Sequence, residues 1–495
     1  MKKSFTLIAS LLVTLTASAS TPNLIDVYHA ALQNDPTFQQ ALANRDIAQQ
    51  NLPLAVAALL PQISLVGTGE YEKTQLHGSN IFNGATNQTG SASGTNKDRS
   101  LGFTLSLDQT IFNFTNWMDV ASEKSAVKAA YATYTAAVQT LIQTTVQDYF
   151  NVLLAESNVI YTKAEEEAYY RQYIQAKESF EVGVKTITDV YNAKASYDSS
   201  KADYVAAINN LADQRENLRA ITGIYYPKLA GLRSLPLATP KPANINSWSE
   251  TAIQHNWNLQ AANYTMVSDH AAIKAAYGGH LPSLAFNGSY ENTYTDNIDR
   301  SGSSRSKQLI GQLNLTVPIY SGGQVTAQVK QDIAQYDLAA GEFEQTYRTT
   351  VNNTRQAYLG AISGISKIQA DEQAILSNQI TLEGMEEGYK VGTQTMTDVL
   401  IAQQNLYEAQ LQTAQDKNNY IMSLVNLKQA AGTLSTDDVT VLNSYLSSQS
   451  ISLNSPIAKK PNTSVKSKLY QAVSPTIKST SQPTSSTQTK TEKNN

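Results

Sequence analysis

Most of this chain repeats its apolar positions every three or four residues. Val127, Tyr131, Tyr134, Val138, Ile142, Val146, Tyr149 and Leu153 step by 4, 3, 4, 4, 4, 3 and 4, which is one stripe of a helix. Proline breaks helix interiors, and none occurs between Pro61 and Pro227 or between Pro318 and Pro456. The first gap predicts a helix from about Trp117 to Glu181, roughly 100 Å long at 1.5 Å per residue. A pattern of this length implies a coiled coil or helical array rather than an ordinary globular helix. Returning helices are expected from about Asp189 to Ile221 and from Asp398 to Ala431. Each is half the length of its outgoing partner, so a further element must stack on it. Residues 36–58 and 257–277 are helical candidates of suitable size.

Four segments change to a period of two. Ile63, Leu65, Gly67, Gly69 and Tyr71 alternate with polar residues, as do Leu101, Phe103, Leu105, Leu107 and Ile111. The pattern recurs at Leu284, Phe286, Gly288 and Tyr290, then at Leu309, Leu313, Leu315, Val317 and Ile319. A strand with one face to lipid and one to a watery lumen needs this alternation. The pattern alone fits a half-buried strand of a soluble sheet equally well. Four strands cannot close a barrel, since the smallest have about 8. The chain is therefore expected to oligomerise through its edge strands.

The two alternating pairs belong to an internal duplication, the feature to seek first in any sequence. Ala31-Leu32-Gln33 and Leu60-Pro61 match Ala252-Ile253-Gln254 and Leu281-Pro282 at an offset of 221. Leu105, Leu107 and Ile111 match Leu313, Leu315 and Ile319 at an offset of 208, and Gly183, Asp189 and Gly223 match Gly392, Asp398 and Gly432 at 209. The first half thus holds 221 − 208 = 13 extra residues between Pro61 and Ile111, assigned to a long polar loop over His77–Arg99. The expected organisation is a leader over 1–19, a first repeat over 20–235, a connector and second repeat over 236–446, and a disordered polar tail over 447–495. Residues 435–446 are expected to pack back on the middle of the molecule.

The stretches FEVGVKTITDV (Phe180–Val190) and YKVGTQTMTDV (Tyr389–Val399) are one motif written twice. Each is expected to turn one long helix into its antiparallel partner. Gly183 and Gly392 supply a positive φ, and Asp189 and Asp398 are candidate helix N-caps. Three copies of Asp398 around an axis would form a cation-attracting ring.

Composition sharpens the address. Lys2 and Lys3, the apolar run Phe5–Leu15 and Ala17-Ser18-Ala19 form a secretory leader too short to span a bilayer. No later stretch is apolar for long enough, so membrane entry is expected only as a β-barrel. There is no cysteine, which excludes thiol catalysis, disulfides and a lipid anchor on cysteine. A net charge of −4 gives no sign of a nucleic-acid partner. His77 and His280 lack partner spacing, so no metal or other cofactor is expected. No nucleophile motif or phosphate loop points to an enzyme. Glu165-Glu166-Glu167 is expected to be a solvated face.

In this order of motifs the sequence resembles the TolC family of outer-membrane efflux channels from Leu24 to about Leu446. The resemblance rests on Leu-Pro before each strand, the Gly-x-x-Thr-x-Thr-Asp-Val type turns, ITGIYYPKLAGL (Ile221–Leu232) and PIYSGGQV (Pro318–Val325). It implies a mainly α fold with a small membrane β-barrel. Three chains would share 12 strands above a long α-helical coiled-coil tunnel with an equatorial belt. It implies a passive duct for drug efflux and type I protein secretion. The implied partners are two further copies, a periplasmic adaptor protein, an inner-membrane efflux pump or ABC exporter, and outer-membrane lipid. It also implies tip roles: Thr188, Asp189 and Tyr389 in hydrogen bonds that hold the gate closed, and Asp398 in an acidic ring at the entrance. The family's gate arginine falls at Gln394, and its second ring aspartate at Ile401. An amide at Gln394 retains a hydrogen bond to Asp189 but no salt bridge. Lys185 and Lys390 are nearby substitute counter-ions. The competing readings are a periplasmic adaptor, which carries one hairpin between β domains, and a secreted coiled-coil structural protein.

Overall fold

The computed structural model describes residues 21–83, 88–298 and 302–447. The first half runs α1 (Leu24–Asn34), α2 (Pro36–Ala57), β1 (Gln62–Asn83), β2 (Gln88–Phe112), α3 (Phe114–Glu181) and α4 (Ile187–Thr222). The second runs α5 (Ile245–His255), α6 (Trp257–Tyr277), β3 (Ser283–Asn297), β4 (Gly302–Thr316), α7 (Gln324–Lys390) and α8 (Met396–Ala430), followed by α9 (Thr436–Ser444). The proline-free runs hold the long helices: α3 has 68 residues and α7 has 67. The leader lies outside the described residues, as does all of the tail after Ser447. No described helix is long and apolar enough to cross a membrane.

The strands form one antiparallel sheet in the order β1-β2-β3-β4, with β1 and β4 at its edges. Cross-strand partners share a face. Ile63 opposes Leu107, Leu65 opposes Leu105, Leu105 opposes Tyr290, and Tyr290 opposes Leu309. The four alternating segments therefore pool their apolar residues on one face. Leu65, Leu101, Leu309, Leu313 and Leu315 are all exposed on it. On the other face Asn314 donates to Asn287 (2.7 Å) and Asn287 to Asp108 (2.5 Å). The long loop expected over 77–99 is paired strand at 77–83 and 88–99, and residues 84–87 lie outside the described residues. β1 and β2 stay paired from Lys73–Lys97 out to Asn83–Gln88. This part has no apolar alternation because it projects past β3 and β4, whose pairing ends at Asn297–Gly302. A ribbon with water on both sides has no face to keep dry, so the usual strand signal is missing.

Each returning helix ends against the junction between the two short helices of its own repeat, and the two joints match. In the first, Asn34 at the end of α1 donates through Nδ2 to the Thr222 carbonyl at 2.9 Å, and Asp35 caps α2 by accepting from Phe38 N at 2.7 Å. In the second, Asn256 donates through Nδ2 to the Ala430 carbonyl at 2.9 Å and caps α6 by accepting from Leu259 N at 2.9 Å. These amides satisfy carbonyls that a helix end otherwise leaves orphaned. Gly223 and Gly432 follow at φ 71°, the left-handed C-terminal position. A Cβ on Gly432 would fall 2.1 Å from the His255 carbonyl oxygen, so the second joint closes only on glycine.

The main core surrounds the first joint. It gathers Leu24 and Val27 of α1, Ile142, Val146 and Tyr149 of α3, Leu218 of α4, Leu229, Val425 of α8, and Val439 of α9. Tyr149 is fully buried and donates to the Ala230 carbonyl at 2.7 Å. Leu446 bridges to Leu232, and Ser447 N donates to the Gly231 carbonyl at 2.7 Å, so residues 435–446 pack as expected and the first residue assigned to the tail is tied down. The α3 stripe is buried from Ile142 onward, whereas Tyr131 is exposed and meets Trp257 edge-on. The solvated acidic face is corrected: Glu165 and Glu166 are half-buried, and burial raises the Glu165 carboxyl above its usual range. Half-buried Glu156 pairs with Arg215 across α3 and α4 at 2.9 Å.

Two predictions follow from this packing. Gly432→Ala meets both a backbone clash and left-handed strain, so it should cost at least about 3 kcal/mol, read as a lowered thermal midpoint by circular dichroism. Asp148 is half-buried on α3 without a hydrogen bond or ion pair among the described residues, and burial raises its carboxyl to about 6. A raised folded-state value gives stability that is present below the ordinary 3.8 and lost as pH rises through about 6. Asp148→Asn should therefore raise the melting temperature at pH 7.5 by the equivalent of about 1 kcal/mol, after allowance for partial exposure. The advantage should vanish below about pH 4, as followed by circular dichroism in detergent.

Candidate functional site: the helical tip

The two repeated turns fold identically. At the first, Gly183 sits at φ 76°, and the Ser179 carbonyl accepts from Val184 N at 2.9 Å and Lys185 N at 3.2 Å. At the second, Gly392 sits at φ 82°, and the Gly388 carbonyl accepts from Thr393 N at 2.8 Å and Gln394 N at 3.2 Å. A reciprocal capping box opens each returning helix. Thr186 Oγ1 accepts from Asp189 N at 3.3 Å while Asp189 Oδ2 accepts from Thr186 N at 3.1 Å. Thr395 and Asp398 repeat this at 3.2 and 2.9 Å. The N-cap assignment is thus corrected: Thr186 and Thr395 are the caps, and Asp189 and Asp398 stand three residues inside. The spacing Thr-x-x-Asp in both motifs carries that signal.

Beyond the backbone the turns differ. Tyr389 is 5% exposed, and its hydroxyl is buried with no hydrogen-bond partner. Burial raises its pKa, and the Asp189 carboxylate raises it further, so the phenol stays protonated. Lys185 Nζ lies 4.0 Å from the centre of the Tyr389 ring, a cation–π contact between the two hairpins. Phe180, its repeat mate, is 42% exposed. Lys390 pairs with Glu387 at 2.8 Å. Thr188 is exposed and makes no side-chain hydrogen bond among the described residues. Gln394 is half-buried and makes no side-chain hydrogen bond among the described residues. It folds onto its own helix end, where a Cβ on Gly388 would meet its Cγ at 2.5 Å. The structure thus brings Asp189 and Lys185 toward Tyr389, and within one chain it leaves Thr188 and Gln394 apart from that group.

Asp398 is half-buried at the start of α8. Hydrogen bonds from the Thr395 hydroxyl, then from its backbone, hold the carboxyl below its usual range, so it is ionised at any physiological pH. Ile401, one turn on, is 51% exposed.

An apolar cluster joins the hairpins behind the turns. It contains Tyr169 and Ala176 of α3, Val190 and Ala193 of α4, Tyr389 of α7, and Met396, Val399 and Leu400 of α8. Above it Gln172 hydrogen-bonds Gln403, both buried, and Tyr407 donates to the Ala164 carbonyl at 3.2 Å. These polar contacts were not singled out in the sequence. They lie mid-helix, where an isolated Gln or Tyr carries no spacing signal. A cleft of about 240 Å³ opens beside them, lined among others by Arg171, Glu386, Tyr389 and Lys390. Among the described residues no group of acidic or histidine side chains is placed to hold a metal.

The family described as outer membrane efflux protein matches residues 27–224 and 248–433. The chain is 37% identical over 436 residues to outer membrane protein TolC of Escherichia coli K12, covering 86% of this chain and 85% of that protein. It is 23% identical over 463 residues to the proteases secretion protein PrtF of Dickeya chrysanthemi, covering 90% and 96%. The crystal structure of the Campylobacter jejuni CmeC outer membrane channel superposes with a TM-score of 0.71 over 86% of this chain and 90% of that one, at 22% identity.

Proposed function

The chain belongs to the outer membrane efflux protein family, and we propose that it acts as a passive exit duct across the periplasm and outer membrane, for drug efflux and type I protein secretion. The observation that carries this reading is the four-stranded sheet with one continuous apolar face and two free edges, set on helical hairpins roughly 100 Å long. A lone sheet of this kind exposes unpaired edges that a membrane does not tolerate. Three copies joining β4 to the next β1 would close 12 strands and leave no edge. The polar face, with Asp108, Asn287 and Glu291, would then line the lumen. The helices below would form the periplasmic tunnel, with the joints at its middle. The domain plan is the two repeats, 20–235 and 236–446, around this axis. Neither an adaptor nor a secreted coiled coil accounts for the lipid-suited face. A duct of this type has no energy source of its own, so it works with a periplasmic adaptor and an inner-membrane efflux pump or ABC exporter.

The tip is the entrance. Asp398 is proposed as its acidic ring, with a charge that persists at low pH. Tyr389 is proposed as the latch: its buried hydroxyl needs an acceptor, and Oδ1 of Asp189, outside the capping box, is the nearby one. Thr188 and Gln394 are assigned to the gate through contacts with the neighbouring copy, because neither makes a side-chain hydrogen bond within its own chain among the described residues. An amide in place of a charged latch makes this gate weaker than a salt-bridged one. Gly183 and Gly392 keep the turns rigid.

The test is direct. The protein extracted from outer membranes should migrate as a heat-resistant trimer and insert into planar bilayers as a cation-preferring channel blocked by multivalent cations. Asp398→Ala should lower the cation preference and relieve the block; unchanged selectivity and block would remove the ring assignment. Tyr389→Phe combined with Asp189→Ala should raise single-channel conductance, and an unaltered conductance would place the closure elsewhere.

A further inference from the structure

The charged side chains of the sheet divide by face. Tyr71 opposes Arg99 and Lys73 opposes Lys97, while on the far side Tyr294 opposes Arg305 and Asn292 opposes Lys307. The register places these five bases on the same face as Leu65, Leu105 and Leu309. Among the described residues Asp296 is the one carboxylate there. Glu70, Glu72, Asp98, Asp108 and Glu291 all stand on the opposite face, which carries no described base. Lys73, Arg99, Arg305 and Lys307 are exposed and make no ion pair among the described residues.

The bases also share a level. On β1 the apolar run ends at Tyr71 and Lys73 follows. On β2 it ends at Leu101, and Arg99 and Lys97 lie beyond. On β4 it ends at Leu309, and Lys307 and Arg305 lie beyond. The boundary therefore cuts obliquely across the strands, since Leu101 shares its cross-strand row with Tyr294 and Arg305. Strands of a membrane barrel tilt by roughly 35–45°, so an oblique boundary in the sheet becomes a level one in the bilayer. Tyr71, Tyr290 and Tyr294 border it, as aromatic residues do at a lipid–water interface. The belt lies toward the ribbon end of the strands, away from the helices, and so faces the outer leaflet.

We propose that this belt is a binding site for the phosphate groups of outer-leaflet lipid. A lipid whose chains lie on Leu101, Phe103 and Leu105 would set its headgroup against Arg99 and Lys73. One lying on Leu309 and Leu313 would meet Lys307 and Arg305. Asp296, opposite Arg99, is the one described acid on this face; the others stand on the lumen face, which keeps most of the repulsion away from the headgroups. The inference rests on the barrel reading above.

The experiment compares the detergent-purified trimer with a quadruple variant, Lys73→Gln, Arg99→Gln, Arg305→Gln and Lys307→Gln. Retention of lipid A bearing two phosphates is measured by native mass spectrometry against phosphatidylcholine and dephosphorylated lipid A. The wild type should retain the phosphorylated lipid roughly tenfold better than either control, and the variant should lose most of that preference. The preference should also fall with added salt. Both proteins should insert into bilayers as channels. Insertion by both with equal retention of phosphorylated lipid would overturn this inference alone. A wild type with no preference for phosphate would overturn it as well. Failure of the wild type to form channels would overturn the barrel reading, and this inference with it.

Discussion

Everything in this molecule depends on how a long helix finds enough partners. A 68-residue helix beside a 36-residue one leaves nearly half its buried face without cover. The solution is an end-to-end joint, in which a second short helix continues the line of the first. The joint is polar at its centre and apolar around it. Asn34 and Asn256 supply the hydrogen bonds, and Gly223 and Gly432 allow the chain to leave the helix without a side chain in the way. The two joints are not equally packed. The first is wrapped by the main core, including α1 and α9. The second has Trp248, Leu427 and Ala431, with backbone pressed on Gly432.

The same economy explains what was legible in the chain. The stripe of period 3.6 located the first long helix to within a turn, Trp117–Glu181 against Phe114–Glu181, and the second proline-free run left room for α7, because a helix of this length has few alternatives. Alternation found all four strands wherever one face meets an apolar phase. It failed at 77–99, where strand pairing continues without such a phase, so the pairing leaves no mark in hydropathy. The tip was legible in its backbone, since Gly and Thr-x-x-Asp have local mechanisms. Its side-chain chemistry was less so. Gln394 lies over Gly388 because that glycine leaves room, and nothing in the spacing distinguishes this from a residue reaching toward Asp189. The half-burial of Glu165 also escaped: three consecutive acids read as solvated, yet successive helix positions point in different directions, and one of them meets α8.

The repeats show how one plan yields unlike parts. Both turns share each backbone hydrogen bond, so the duplicated element is a rigid corner. The differences sit on the surfaces the corners present. Tyr389 enters the apolar cluster between hairpins, while Phe180 stays exposed. Lys185 crosses to the Tyr389 ring, while Lys390 stays with Glu387 on its own helix. A duplicated hairpin thus keeps its shape while one copy acquires contacts to the other.

The ribbon formed by the outer parts of β1 and β2 has a consequence of its own. Its register shifts between Gly78 and Ile81, yet the pairing from Gln62–Asp108 to Lys73–Lys97 stays in step. Changes of length beyond Lys73 and Lys97 are therefore absorbed locally and do not reach the apolar face. This makes the ribbon the part of the molecule most free to diverge. It is also the part a cell would show to its surroundings, so variation under external attack can accumulate there while the duct beneath is unchanged.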